Sequence, residues 1–287
     1  AAGNASGIPS SARMRSKPGA RAPAAGCRRR GRAGTVKRTV APLSMPYVFE
    51  DPFATTGASA YYIWHEFPDD SVTAGGDATV YALQVRVALT DRLSFIATQD
   101  GWMEFRPDLA LLDDKAGGWM NWMAGLKYTL VDMPEERFIL SPSLRYQAAQ
   151  GSSDVLAGNG DGMWVPGVSM GWGPGPIRLL ANVAAALPVD GNENSTPLFW
   201  NLHLAWPLPK GFTPLVELNG IHYMSEGDGS MQVELADGTR IPLQAAFPLL
   251  GIQPEDGGDL VEYLIPNEDF ITSQVINWSY SNPRVRL

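Results

Sequence analysis

The side chains able to do chemistry in this chain are spaced relative to tight turns. Arg86 and Lys127 each stand about four residues before a short turn, Glu217 about five after one, and Arg178 directly after Gly173-Pro174-Gly175-Pro176. At roughly 3.3 Å per residue these charges fall at similar depth if the segments are strands, with Arg145 higher. Gln84, His203 and Asn219 occupy the same polar faces. Such a layer makes a charged constriction that selects solutes by sign, or an ion-pair network that fills a narrow barrel. His203 shares its face with Asn201, a base beside a polar orienter. A membrane-embedded hydrolase would need a serine there, yet none is placed by the spacing and no G-x-S-x-G occurs. Three scattered histidines and the single Cys27 make no metal site, and no phosphate-cradling loop or dinucleotide fingerprint is present, so no cofactor is expected. Asp190-Gly191-Asn192-Glu193-Asn194 resembles a calcium loop, but its twelfth position is Asn201, where a bidentate carboxylate is required.

The elements that must position these groups read as strands. In Thr79–Leu89, Tyr81, Leu83, Val85 and Val87 fall on one face and Gln84 and Arg86 on the other. The same alternation puts Trp122, Leu126 and Tyr128 opposite Lys127, and Leu202 and Leu204 opposite His203. Between Ala58 and Tyr223 about nine such segments follow one another, and short turns alternate with long polar loops. Pro142 lacks a ladder donor, so pairing should break or bulge beside it. Met231–Leu243 is expected to form a hairpin about Asp237-Gly238, and Phe270–Tyr280 a final strand. Segments of about 11–13 residues are long for a globular strand and sufficient to cross a bilayer when tilted. Tyr81, Trp119, Trp122, Tyr128, Trp164, Trp172, Trp200 and Trp206 cluster toward strand ends, as interfacial girdles do. The expected fold is therefore all-β: an antiparallel up-and-down transmembrane β-barrel of about ten to twelve strands. A soluble β-barrel with an apolar interior shows the same period and remains the alternative.

Charge divides the chain. Up to Pro46 there are ten Lys and Arg and no acid, whereas from Tyr47 onward 12 basic residues face 30 acidic ones. Residues 1–46 read as a disordered basic arm, or a targeting or extension segment, and 47–287 as the barrel with a long loop at about 225–269. The acidic body argues against nucleic acid as a partner. No apolar run is long enough for a transmembrane helix.

The stretch Glu50-Asp51-Pro52-Phe53, the run Tyr81–Leu93 and the strand Gly125-Leu126-Lys127-Tyr128 together resemble the bacterial outer-membrane β-barrel transporter family akin to the phenol-degradation meta-pathway outer-membrane proteins. The resemblance spans roughly Tyr47 to Ser225. It implies an outer-membrane location (an organelle outer envelope being the alternative) and passage of small organic solutes. The partners expected are the lipid bilayer and those solutes, and the expected role is non-catalytic, as a passive pore or carrier. The alternatives are a plugged barrel with a structural or surface-interaction role, its Tyr223–Phe270 segment folded into or over the mouth, and a soluble ligand-binding β-barrel. Lumen positions are Gln84, Arg86, Lys127, Arg145, Arg178, His203, Glu217 and Asn219. Lipid-facing positions are Tyr81, Leu83, Val85, Val87, Trp122, Leu126, Tyr128, Leu202 and Leu204.

Overall fold

Fifteen short β segments, in chain order, account for the regular structure of the described residues. The computed structural model describes residues 40–69, 74–109, 116–158, 160–191, 194–225, 232–242 and 245. The segments are β1 Gly57–Glu66, β2 Gly76–Ala88, β3 Leu93–Gln99, β4 Gly101–Pro107, β5 Ala116–Trp119, β6 Trp122–Tyr128, β7 Val131–Met133, β8 Phe138–Ala148, β9 Met163–Trp172, β10 Arg178–Ala185, β11 Leu187–Pro188, β12 Thr196–Ala205, β13 Leu215–Ser225, β14 Gln232–Glu234 and β15 Arg240–Pro242. β3 with β4, β5 with β6 and β7, and β10 with β11 are single strands interrupted by irregular residues. All pairings are antiparallel between chain neighbours, which makes a meander of nine strands among the described residues. The expected strand Phe270–Tyr280, most of the expected 225–269 loop and residues 1–39 of the expected arm lie outside the described residues. The expected hairpin is present: β14 pairs with β15, and Gly238 takes the φ of +81° that the turn requires.

The sheet is strongly curled. Ser44 bonds Glu217 on β13, and the carbonyl of Pro46, two residues on, accepts from Gln84 on β2. Seven strand spacings separate β13 from β2, about 34 Å across a flat sheet. Two residues of chain cover about 7 Å, so the sheet must bend until those strands face each other across a concavity. Among the described residues β1 pairs only with β2 and β13 only with β12, so the wall is a curled half-barrel with two open edges.

The interruptions correct three details of the period-2 reading. The strand that follows the tight turn at Thr90-Asp91-Arg92 breaks at Asp100, with a register shift between Ala97 and Gln99 against β6. Met120, which a strict period of two would put on the face of Trp122 and Leu126, is buried, because two residues, Met120 and Asn121, turn inward between the outward Trp119 and Trp122. Opposite Pro142, β8 supplies two residues where the β6–β7 strand supplies three. Lys127 pairs with Ser143 and Val131 with Leu140, which is a one-residue bulge. On its other side Pro142 keeps continuous register with Val168 of β9, so the disruption expected from the missing N–H falls on one neighbour only.

The two faces of the wall differ sharply. Its convex face carries Tyr81, Leu83, Val87, Leu126, Tyr128, Leu144, Val168, Val183, Leu204, Val216 and Leu218, all exposed. The eight described tryptophans all lie in the exposed range, from 37% to 53%. Trp102, Trp119 and Trp122 stack edge-on toward the long-loop rim, and Trp172 and Trp206 stand at the short-turn rim. The concave face buries Gln84, Lys127, Ser141, Ser143, Arg145, Gln147, Ser169, Asn182, Asn201 and His203. The largest apolar cluster of the interior lies toward the long loops, along β2, β4 and β5. There Phe67, Ala78, Val80, Met103, Phe105, Ala116 and Met120 pack under Val155 and Ala157 of the loop after β8.

Candidate functional site

Residues 43–53 fill the concavity. The segment enters beside β13, where Glu217 accepts from the backbone N–H groups of Leu43 (3.0 Å) and Ser44 (2.7 Å) and from the Ser44 hydroxyl. It turns within Met45–Phe49, where the Val48 and Phe49 N–H groups both donate to the Met45 carbonyl. Met45 holds a left-handed φ of +48° there. It then returns to the short-turn rim, where Thr56 accepts from the Ala88 N–H and β1 begins. Met45, Tyr47, Val48, Phe49, Glu50 and Phe53 are all buried.

The wall is built to receive this segment. An irregular segment buried away from water needs partners for its backbone. Gln84 Nε2 donates to the Pro46 carbonyl (2.7 Å), Arg145 Nη1 to that of Tyr47 (2.7 Å), Ser169 Oγ to that of Glu50 (2.6 Å) and Ser141 Oγ to that of Pro52 (2.6 Å). Apolar contacts supplement these bonds. Phe49 and Phe53 pack on Ile139 and Leu180, and Met45, Tyr47 and Val48 on Met123, Val165 and Phe199. Gly171 is small for a reason: a Cβ there would lie 3.1 Å from Cγ of Pro52 and 2.8 Å from Ile139.

Glu50 is the electrostatic centre. Arg86 grips its carboxylate with Nε (3.0 Å to Oε1) and Nη2 (2.7 Å to Oε2), and Lys127 Nζ caps Oε1 at 2.6 Å. Lys127 also donates to the carbonyl (2.6 Å) and the carboxylate (3.2 Å) of Asp51. Burial alone would raise the Glu50 carboxyl, but Lys127 and Arg86 outweigh it and hold the group down to about 2. Arg145 is fully buried. Its bonds go to the carbonyls of Tyr47 and Val48 and to Thr98, and its Nε has no hydrogen-bond partner.

The expected lumen residues all face the concavity, but they form separate groups. Arg86 and Lys127 meet at Glu50. Gln84 also reaches Arg86, whose Nη1 donates to its Oε1 (3.2 Å). Glu217 and Asn219 belong to a second group: His203 Nδ1 lies 2.6 Å from Glu217 Oε1, and Asn219 donates to Ser44 Oγ (2.7 Å). Arg178 joins neither, because its guanidinium donates to Gly175 and Ile177 of its own turn. The single charged layer expected from turn spacing is thus two clusters and an outlier. Ser44 bonds Glu217 rather than His203, whose Nε2 makes no hydrogen bond, so among the described residues no serine is set against the imidazole. Among the described residues no His, Cys, Asp and Glu group has metal-site geometry.

Glu50-Asp51-Pro52-Phe53 stood out in the sequence only through the family resemblance and not as lumen residues, and the expected domain boundary at Pro46 falls inside the inserted stretch. A signal existed in the small inward residues Ser141 and Ser143 of β8 and Gly167, Ser169 and Gly171 of β9, which leave room that something must occupy. Beside the segment a cavity of about 30 Å³ remains, lined by Tyr47, Met123, Gln147, Val165 and Phe199, enough for one or two waters and not for an organic solute. Comparisons with protein-family models, curated proteins and solved structures return no match.

Proposed function

We propose that this chain is a β-barrel of the bacterial outer-membrane kind, a passage for small organic solutes that its own residues 43–53 close. One observation carries this reading: polar and charged side chains point into the concavity while leucines, valines and tryptophans cover the convex face. Exposed apolar area of that extent is foreign to a water-soluble monomer, and hydrocarbon is the solvent that suits it. Tilted strands of 10 to 13 residues, such as β1, β2 and β8, match the apolar band of about 25 Å found in membrane barrels. The ion cluster of Asp77, Arg106 and Glu104 on the outer face beyond Trp102 suits a strand end that leaves the bilayer. The likeness of Glu50–Leu93 to outer-membrane transporters points the same way. An unpaired sheet edge is costly in hydrocarbon, so this reading requires the edges of β1 and β13 to be covered in the membrane.

The filled bore favours a second reading, a permanently plugged barrel with a structural or surface-interaction role. Planar-bilayer recordings separate the two. The full chain is expected to be silent or to open rarely, and Glu50→Gln to conduct steadily. If folded Glu50→Gln stays silent, the plugged-barrel reading replaces the pore. Extraction of the natural protein without detergent would remove both.

A further inference from the structure

We infer that the Arg86–Lys127 pair is a binding station for small organic carboxylates, occupied in this conformation by the side chain of Glu50 as an internal stand-in. It deepens the proposed passage by naming its solute class, and for permeation it rests on that reading.

Arg86, Lys127 and Arg145 are carried by neighbouring parts of the wall, on β2, β6 and β8, and all three are cations. A static network would balance them with acids from adjacent strands. Here the balancing carboxylates, Glu50 and Asp51, belong to the inserted segment. The wall's one acid in hydrogen bonds with that segment, Glu217, is engaged with His203 and Ser44 instead.

The geometry is that of carboxylate recognition. Arg86 presents its Nε–Nη2 edge to both oxygens, and Lys127 takes the open side of one of them. Phe49, the residue before Glu50, and Phe53 fill an apolar seat made by Ile139 and Leu180. A carboxylate with a short apolar body therefore matches the way in which Phe49 and Glu50 occupy the wall. With the segment withdrawn, the pair and the unpaired Arg145 would face an open bore, and an anion is what they would attract.

The test is chemical rescue on the full chain in a non-ionic detergent. Glu50→Ala removes the stand-in and leaves the station. Its thermal midpoint is expected to rise by several degrees in sodium acetate or propionate over sodium chloride at matched ionic strength. Wild type should show no such difference, and Glu50→Ala combined with Arg86→Gln should lose it. Equal midpoints in acetate and chloride, or an equal rise in all three proteins, overturn the inference. If Glu50→Ala does not fold in chloride, its refolding yield in acetate becomes the readout, and no recovery overturns the inference equally. Rescue without bilayer conductance keeps the station and removes the passage. Conductance of Glu50→Gln without rescue keeps the passage and removes the station.

Discussion

β2 shows on one strand how its two faces differ. Outward it presents Tyr81, Leu83 and Val87, all exposed, and inward Gln84, buried, and Arg86, mostly covered. A strand from a water-soluble barrel would carry the same alternation with the solvents exchanged. The two faces also hold on to their surroundings differently. Among the described residues nothing packs over the convex face, which depends on whatever liquid wets it. The concave face is tied to residues 43–53 by directional bonds, so its contents are specified residue by residue. The outside thus responds to the hydrophobicity of its medium, and the inside to charge and shape.

Substitutions can break this contrast, and the inside should yield most. Glu50→Gln leaves two buried cations short of a counter-charge, a loss expected to reach about 3–5 kcal/mol in denaturant unfolding from detergent. A loss under 1 kcal/mol would mean that water already screens the pair. On the outside, Leu83→Arg should cost about 2–4 kcal/mol in folding into bilayers, if the site is near mid-depth, and much less in folding in detergent. An equal cost in both would place Leu83 against protein. Gly125→Ala would press a Cβ to 2.1 Å from the Leu144 carbonyl oxygen and force β6 from β8, at about 1–3 kcal/mol.

Acid sharpens the contrast on the inside alone. The folded Glu50 group titrates at about 2, below its ordinary 4.5. A carboxyl depressed in this way contributes stability that is full above about pH 4.5 and is lost as pH falls toward 2. Accessibility of a cysteine placed at Ser44 should therefore stay low from neutral pH to about 4.5 and rise below it. A rise already near neutral pH would mean that a group other than Glu50 holds the segment. The smallest effect is expected at the rim, where Arg106 is solvated beside Asp77 and Glu104. Arg106→Gln should leave the thermal midpoint unchanged.

Which face each residue occupies was legible because a strand has a period of two. Gln84, Arg86, Lys127, Arg145, His203, Glu217 and Asn219 all lie on the concave side, and Tyr81, Leu83, Trp122, Leu126 and Leu204 on the convex. The interruptions at Gln99, Met120–Asn121 and Ala186 were not legible, because a bulge adds a residue without requiring any particular side chain. Pro142 announced its own irregularity because the missing donor is a property of the residue. The insertion was hidden for another reason. Residues 43–53 follow no period and bury themselves by bonds from five different strands, a pattern that no local window contains. The separation of Glu217 from Arg86 was equally out of reach, because it depends on which acid the inserted segment brings to each cation.

The segment goes in and comes out by the same opening, between its contact with Glu217 and the start of β1 at Gly57. A cork on such a string can be drawn without dragging residues 43–53 along the length of the curled wall and without parting a single pair of its strands. Whatever pulls it finds both ends of the string on the side of the tight turns.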